Sequence, residues 1–143
     1  MFLRDAKLVV MAGLGVFVYG TLRPGGWNHE RWLAPVLAGV CRPAQLAGMA
    51  LHHHGGLPYV VPAETGRLVT GDVATLVADG YGEALAHLDR LEDTAGDHYR
   101  RVTAETVDGE TVWVWVAGGR VSRELGPDTL VEHGDWLRVA GAA

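Results

Sequence analysis

Hydrophobic residues occur along the chain in short runs, which glycine, proline and Asp-Gly pairs separate. Runs of this length, rich in valine, leucine and tyrosine, indicate β-strands. The pattern predicts strands at residues 16–18, 40–51, 59–61, 68–77, 99–107 and 111–117, with a turn at 64–66. Asp108-Gly109-Glu110, between the last two strands, is typical of a hairpin turn. The last strand alternates valines with Trp113 and Trp115. Both of its faces are therefore apolar, as in a strand that is covered on both sides or closed into a barrel.

Two helices are predicted between the strands. Residues 29–37 form a short one, with Asn28 as its N-cap and Pro35 limiting its length. Residues 81–92 form an amphipathic one, because apolar residues recur there at three- and four-residue spacing. These are Tyr81, Ala84, Leu85, Leu88 and Leu91. Strands outnumber helices and do not alternate with them, so we expect an α+β fold: a small mixed, mainly antiparallel β-barrel with flanking helices.

One carboxylate lies within the apolar stripe of the second helix. On a wheel of about 100° per residue, Glu92 falls between Tyr81 and Leu85, whereas Asp89 lies just beyond the edge of the stripe. A carboxylate turned to the interior needs a hydrogen bond or takes a raised pKa. A Glu with such a pKa suits general acid/base catalysis near neutral pH. Two alternatives stay open: a side chain that turns to solvent at the helix end, or an ion pair with Arg100 or Arg101.

A glycine-containing loop follows the first predicted strand. In Tyr19-Gly20-Thr21-Leu22, Gly20 permits a sharp turn and leaves room for a ligand near the main chain. Successive backbone N–H groups in such a loop can form a concave anion site, and Tyr19 adds a hydroxyl. The glycine spacing fits neither a Walker A loop nor a dinucleotide-binding loop.

Length, charge and cysteine content exclude several classes of protein. The 143 residues suit one domain, and the net charge of −5 comes without a basic stripe that would bind nucleic acid. The single cysteine, Cys41, fits a reducing compartment. Charged residues interrupt the first ten positions, unlike a signal peptide, and no apolar run approaches the roughly 18 residues of a membrane span. We expect a cytoplasmic protein without membrane contact, as a monomer or homodimer. It has an N-terminal extension at residues 1–14 and one domain at 15–143, and either Met1 or Met11 is the natural start.

Two other groups of residues have a less specific interpretation. His52-His53-His54 suggests a metal site, but consecutive strand residues point to opposite faces and do not converge on one ion. Asp89 and Glu92 resemble the paired carboxylates of a glycosidase, but a second, independently placed acid is lacking. We therefore expect no metal site at these histidines and no glycosidase pair at these carboxylates.

Two motifs resemble those of the γ-glutamylcyclotransferase-like superfamily, and within it the γ-glutamylamine cyclotransferase type. Tyr19-Gly20-Thr21-Leu22-Arg23 looks like its signature loop. Leu88-Asp89-Arg90-Leu91-Glu92, followed by Tyr99-Arg100-Arg101, resembles its second motif. Leu57-Pro58-Tyr59 and Val69-Thr70-Gly71-Asp72-Val73 fit between them in order and spacing, so the resemblance covers residues 16–117. In this sequence Asp93 stands where many relatives have Gly, and Trp115 where they often carry another aromatic residue.

The resemblance implies an enzyme that releases 5-oxoproline from a γ-glutamyl compound without a metal or cofactor. It implies Glu92 as the catalytic acid/base. It also implies a substrate site formed by Tyr19, Gly20, Thr21 and Leu22, with Tyr99 nearby. The alternative is a binding module that kept the loop for a small carboxylate ligand and lost turnover. A buried negative charge at Glu92 would weaken such binding, which favours the enzyme.

Overall fold

The computed structural model describes residues 13–63 and 67–139, which form seven strands and two α-helices. The strands are β1 (Val16–Val18), β2 (Arg42–Ala47), β3 (Met49–His54), β4 (Leu57–Pro62), β5 (Leu68–Ala74), β6 (Tyr99–Glu105) and β7 (Thr111–Ala117). The helices are α1 (Tyr81–Leu91) and α2 (Gly119–Ser122). The chain also forms a π-helical turn at His29–Leu33 and 3-10 turns at Ala34–Val36, Pro127–Thr129 and Trp136–Arg138. The turn predicted at 64–66 lies outside the described residues.

Five strands form the main sheet in the order β2-β5-β1-β7-β6. β1 pairs in parallel with β7, and the other neighbours in this sheet are antiparallel. The edge strands approach each other at one isolated bridge between Leu46 and Thr106, where the Val107 N–H donates to the carbonyl of Gln45 at 2.9 Å. One bridge is not a continuous ladder, so the sheet is not a closed barrel. The predicted α+β class with a mainly antiparallel sheet is confirmed.

A second, two-stranded sheet comes from a segment that was predicted to be one strand. Residues 40–51 divide into β2 and β3 at Gly48, whose φ of 77° takes the backbone out of the β region. β3 therefore leaves the main sheet and pairs with β4. Side chains alternate along β3 as expected: His52 is buried and bonds Thr129 at 2.8 Å, whereas His53 is exposed.

The predicted hairpin and the second predicted helix are both present. β6 and β7 pair without interruption, and Gly109 in the turn has a φ of 88°. α1 ends at Leu91, with Glu92 as its C-cap, and it buries Ala84, Leu85 and Leu88. Within the described residues, no helix has both the length and the apolar character of a membrane span.

The helix predicted at residues 29–37 is wrong in type. The segment is a π-helical turn followed by a 3-10 turn that contains Pro35. Asn28 does not cap it through its side chain, because the Asn28 amide donates to the Thr21 hydroxyl at 3.0 Å. The side chain therefore stabilises the loop after β1 rather than the helical turn.

Hydrophobic residues pack on both faces of the main sheet. Val16 and Val18 face α1, whereas Phe17 faces the opposite core, which contains Trp136. Likewise, Trp115 of β7 packs toward α1, while its valines pack on the other side. A fully covered β1 gives the loop that follows it a rigid base.

The predicted N-terminal extension is described only at its last two residues. Leu14 is buried, and its carbonyl accepts a hydrogen bond from the Tyr81 hydroxyl. Residues 1–12 lie outside the described part of the chain, and the boundary at residue 15 stays a prediction.

Candidate active site

A cavity of about 120 Å³ opens where β1 runs into its loop, which is room for several water molecules or one small ligand. Its lining contains all six of the predicted site residues: Tyr19, Gly20, Thr21, Leu22, Glu92 and Tyr99. The other lining residues are Phe17, Val18, Asn28, Leu57, Pro58, Leu91, His98 and Trp115. The structure therefore brings together the loop after β1, the end of α1 and the first residue of β6.

Glu92 reaches the cavity because α1 ends immediately before it. The Glu92 N–H still donates to the Leu88 carbonyl at 3.0 Å, so the side chain stays in line with the buried face of the helix. Asp93 then takes a φ of 51°, and its carbonyl accepts the His98 N–H at 3.1 Å. At this left-handed position the resemblance implies Gly, which adopts such a conformation without strain. The tight turn fixes where the Glu92 side chain enters the cavity.

Neither alternative orientation of Glu92 is found within residues 13–63 and 67–139. Arg101 pairs with Asp89 at 3.0 Å, and Arg100 pairs with Asp97 at 2.9 Å, so neither arginine binds Glu92. The Glu92 side chain is partly buried against the cavity wall rather than extended into solvent.

The surroundings of Glu92 favour its protonated form. Burial raises the pKa of Glu92 to about 8, and the negative charge of Asp89 contributes in the same direction. Asp89 is held in place by two neighbours: it accepts the indole N–H of Trp115 at 2.8 Å and the Arg101 Nε–H at 3.0 Å. A carboxyl group that titrates near neutral pH can both accept and donate a proton under ordinary conditions.

Gly20 and Tyr19 serve the cavity through close packing. A Cβ at Gly20 would lie 2.4 Å from Cγ of Pro58, so only glycine lets the loop approach β4 this closely. Gly20 does not adopt a left-handed conformation, so the predicted sharp turn is not the reason why glycine is needed at this position. The Tyr19 hydroxyl donates to the Trp115 carbonyl at 2.6 Å, which ties the loop to β7.

The loop from Gly20 to Leu22 carries backbone N–H groups beside the cavity. Asn28 holds Thr21 twice, through its N–H to the Thr21 carbonyl and through its side-chain amide to the Thr21 hydroxyl, both at 3.0 Å. In the described part of the chain, the N–H groups of Gly20, Thr21 and Leu22 have no protein acceptor. Unpaired N–H groups beside a cavity can bind an anion or an oxyanion.

Arg23 anchors the far side of this loop by ion pairs. Its Nε bonds Asp72 of β5 at 2.9 Å, and its Nη1 bonds Asp135 at 2.8 Å. The Arg23 and Asp72 side chains are about 12% and 11% exposed, so the pair is largely protected from solvent. The match of Arg23 to the signature loop therefore has a structural reason.

Tyr99 forms part of the cavity wall. Its hydroxyl donates to the Pro58 carbonyl at 2.7 Å, and its ring stacks on Tyr59 with ring centres 4.8 Å apart. Burial raises the pKa of Tyr99 and of Tyr19, so both phenols keep their protons at physiological pH.

Several lining residues were not predicted from the sequence. His98 directly precedes Tyr99, and Trp115 lies on the strand that pairs with β1, but no spacing rule links either residue to the loop. Pro58 reaches the cavity from the separate two-stranded sheet. For Trp115 the sequence did contain a signal: tryptophans alternate with valines along β7, which indicates that they pack on the opposite face of the sheet from the valines.

Gly20→Ala is expected to distort the loop and lower activity more than stability. The added Cβ must displace Pro58, whose carbonyl holds Tyr99, and overpacking of this kind costs about 1–3 kcal/mol. Thermal unfolding and steady-state kinetics measure the two effects. Gly82→Ala is a suitable control, because its added Cβ meets no atom within 4 Å. Gly25→Ala is not suitable, because Gly25 has a φ of 91°, a conformation that strains alanine. A Gly20→Ala protein with unchanged KM and kcat would contradict the packing argument.

Comparison with known proteins identifies the family. Residues 16–138 match the family model for gamma-glutamyl cyclotransferases, AIG2-like. The chain therefore belongs to this family, which confirms the resemblance in the two motifs and supports an enzyme of the γ-glutamyl cyclotransferase type.

Individual relatives agree with this assignment. A Vibrio cholerae protein named "Putative gamma-glutamylcyclotransferase" is 36% identical over 130 residues, which are 86% of this chain and 95% of the relative. The crystal structure of an AIG2-like protein from Mus musculus superposes with a TM-score of 0.67 at 23% identity, covering 87% of this chain and 88% of that one. An uncharacterized protein from Pyrococcus horikoshii has a TM-score of 0.62 at 24% identity, with 85% and 88% covered. At this identity the two structures show a shared fold.

Proposed function

We propose that this protein is a cytoplasmic γ-glutamyl cyclotransferase that releases 5-oxoproline and a free amine or amino acid from a γ-glutamyl compound. Glu92 is its general acid/base. One observation carries the proposal: a carboxyl group with a pKa of about 8 lines the same cavity as three residues whose main-chain N–H groups have no protein acceptor in the described part of the chain.

The reaction is intramolecular, which suits a site without a nucleophilic side chain. The α-amine of the substrate attacks its own γ-carbonyl and closes a five-membered ring, so the protein mainly has to hold the folded conformer. The α-ammonium must first lose a proton, because only the free amine is a nucleophile. Glu92 accepts this proton at a lower cost than an ordinary carboxylate would, because burial raises its pKa to about 8.

The loop after β1 supplies the complementary charge. The N–H groups of Gly20, Thr21 and Leu22 bind the substrate α-carboxylate or the oxygen that becomes negative when the amine attacks. Tyr19 and Tyr99 are neutral phenols whose hydroxyls bond to protein carbonyls, so they shape the cavity. The scheme requires neither a metal nor a cofactor.

A panel of γ-glutamyl substrates tests the proposal. Purified protein is incubated with γ-glutamyl amines, γ-glutamyl amino acids and γ-glutamyl peptides, and 5-oxoproline is measured by mass spectrometry. We expect release from at least one class, which also identifies the amine side of the substrate. Saturable binding of a γ-glutamyl ligand without product would instead favour the binding module, and the cyclotransferase proposal would fail.

Asp89→Asn is expected to move the pH dependence of the reaction while leaving it active. Loss of the Asp89 charge lowers the pKa of Glu92, so the acidic limb of the kcat/KM profile moves to lower pH. Asparagine keeps an oxygen that accepts the Trp115 indole N–H. The control is Glu83→Gln, which removes one negative charge from the exposed face of α1 and leaves the profile unchanged. An Asp89→Asn profile that superposes on that of the wild type would contradict the electrostatic role of Asp89.

A further inference from the structure

His98 lines the cavity together with Glu92, and the mechanism above does not use it. Among the lining residues that the structure describes, His98 has the only imidazole and Glu92 the only carboxyl group. No arginine or lysine lines the cavity in the described part of the chain. A basic amine that leaves the substrate there therefore meets His98 and Glu92 as its two proton sources.

Three contacts hold His98 in place, two of them through its ring. Its Nε2 bonds the Tyr59 hydroxyl, and its ring centre lies 4.9 Å from that of Tyr99. Its backbone N–H bonds the Asp93 carbonyl, which directly follows Glu92 in the chain. The same turn that places Glu92 therefore also places His98.

The bond to Tyr59 persists in both protonation states of His98. Nε2 carries a proton in both states and donates it to the oxygen of the Tyr59 hydroxyl. The proton that His98 gives up and recovers is then the one on its other ring nitrogen, Nδ1. A histidine whose orientation survives a change of charge is suited to give up and recover a proton during turnover.

The reaction itself needs two proton transfers. The α-ammonium begins with three protons, and the ring nitrogen of 5-oxoproline ends with one. The departing nitrogen begins with one proton as an amide, and a basic amine ends with three as an ammonium ion. Two protons therefore pass from one nitrogen to the other, and a single carboxylate carries one at a time.

We propose that His98, oriented by Tyr59, is a second catalytic acid/base that protonates the departing nitrogen; this inference rests on the proposed function. Glu92 takes the first proton from the α-ammonium, and the freed amine forms a bond to the γ-carbonyl carbon. The bond from that carbon to the departing nitrogen then breaks, and its electron pair takes a proton from the His98 imidazolium. His98 recovers a proton from the new ring nitrogen, and Glu92 gives its proton to the free amine. Both side chains end in the form in which they began.

The dependence of turnover on the departing amine tests this role. A series of γ-glutamyl amides is used whose departing amines range from alkylamines to nitroanilines. An alkylamine needs a proton as it departs, whereas a nitroaniline departs more readily and ends neutral. We expect His98→Gln to lower kcat about 100-fold for the alkylamides, with KM little changed, and far less for the nitroanilides. The control, His53→Gln, changes a histidine that is exposed on β3 and outside the cavity, and it leaves the whole series unchanged.

The outcomes separate this inference from the proposed function. If the wild-type protein forms no 5-oxoproline from any amide, the proposed function fails. If the wild type is active but His98→Gln lowers kcat equally across the series, or not at all, the role of His98 is overturned alone. Thermal unfolding shows whether His98→Gln is folded. If it is not, Tyr59→Phe gives the same test, because it keeps the ring that stacks on Tyr99 and removes the hydroxyl that holds His98. A loss confined to alkylamides supports the role, and a uniform loss or no loss overturns it.

Discussion

Glu92→Gln is expected to lower the release of 5-oxoproline about 1,000-fold and to leave the fold intact. Glutamine has the size of the carboxyl group but neither accepts nor donates a proton at physiological pH, and positioned acid/base groups typically contribute 10²- to 10⁴-fold. Glu92 donates no side-chain hydrogen bond to the loop and forms no ion pair within the described residues. Its replacement therefore removes chemistry without removing a structural contact. The measurement is single-turnover and steady-state formation of 5-oxoproline.

Two controls make this loss specific. Glu83→Gln is the same substitution on the exposed face of α1 and is expected to retain full activity. Binding of 5-oxoproline to Glu92→Gln, measured by calorimetry, shows whether the cavity is preserved. Undiminished turnover in Glu92→Gln would remove Glu92 from the mechanism, whatever the family.

The parts of the fold that local sequence patterns determine were predicted well. The spacing of apolar residues in α1 follows directly from the helical repeat, and the Asp108-Gly109 turn defines the β6–β7 hairpin. The division of residues 40–51 was missed because Gly48 looks in the sequence like any other glycine inside a strand. Its meaning comes from a second sheet that β3 forms with a later segment, and that is a tertiary property. Similarly, Asn28 is a good helix cap by residue type, but the nearby Thr21 hydroxyl competes for its side chain.

From the sequence, each part of the candidate site could be predicted separately, but not how the parts come together. The wheel places Glu92 on the buried face of α1, and the glycine marks the loop after β1, yet neither pattern says that the two meet. Their meeting depends on α1 packing over β1, through residues such as Leu88 and Val18. His98 was missed for a related reason: the turn from Asp93 to His98 is irregular, and its path follows from two left-handed aspartates, Asp93 and Asp97. The resemblance to known motifs linked the loop to Glu92, but the matched motifs do not include His98.

Glu92→Gln is also expected to be more stable than the wild type at alkaline pH. In the folded protein the pKa of Glu92 is about 8, whereas in the unfolded chain it has its ordinary value near 4.5. Between these values the unfolded chain releases a proton that the folded protein retains, so the free energy of unfolding of the wild type falls as pH rises. The loss begins above about pH 4.5, is complete above about pH 8, and amounts to at most about 5 kcal/mol, since each pH unit corresponds to ~1.4 kcal/mol. Glutamine does not titrate, so the free energy of unfolding of Glu92→Gln does not fall with pH for this reason.

Urea unfolding of both proteins between pH 4 and pH 9 measures the difference. The two free energies of unfolding should lie close together at pH 4 and diverge steadily up to about pH 8, with the variant more stable, and then run parallel. Glu83→Gln, which removes an exposed carboxylate from the same helix, should follow the wild type at every pH. If the Glu92→Gln and wild-type curves are parallel from pH 4 to pH 9, then the carboxyl group has its ordinary pKa in the folded protein. A Glu92 with an ordinary pKa would be a much weaker base toward the α-ammonium, and the first proton transfer would have to be assigned to another group.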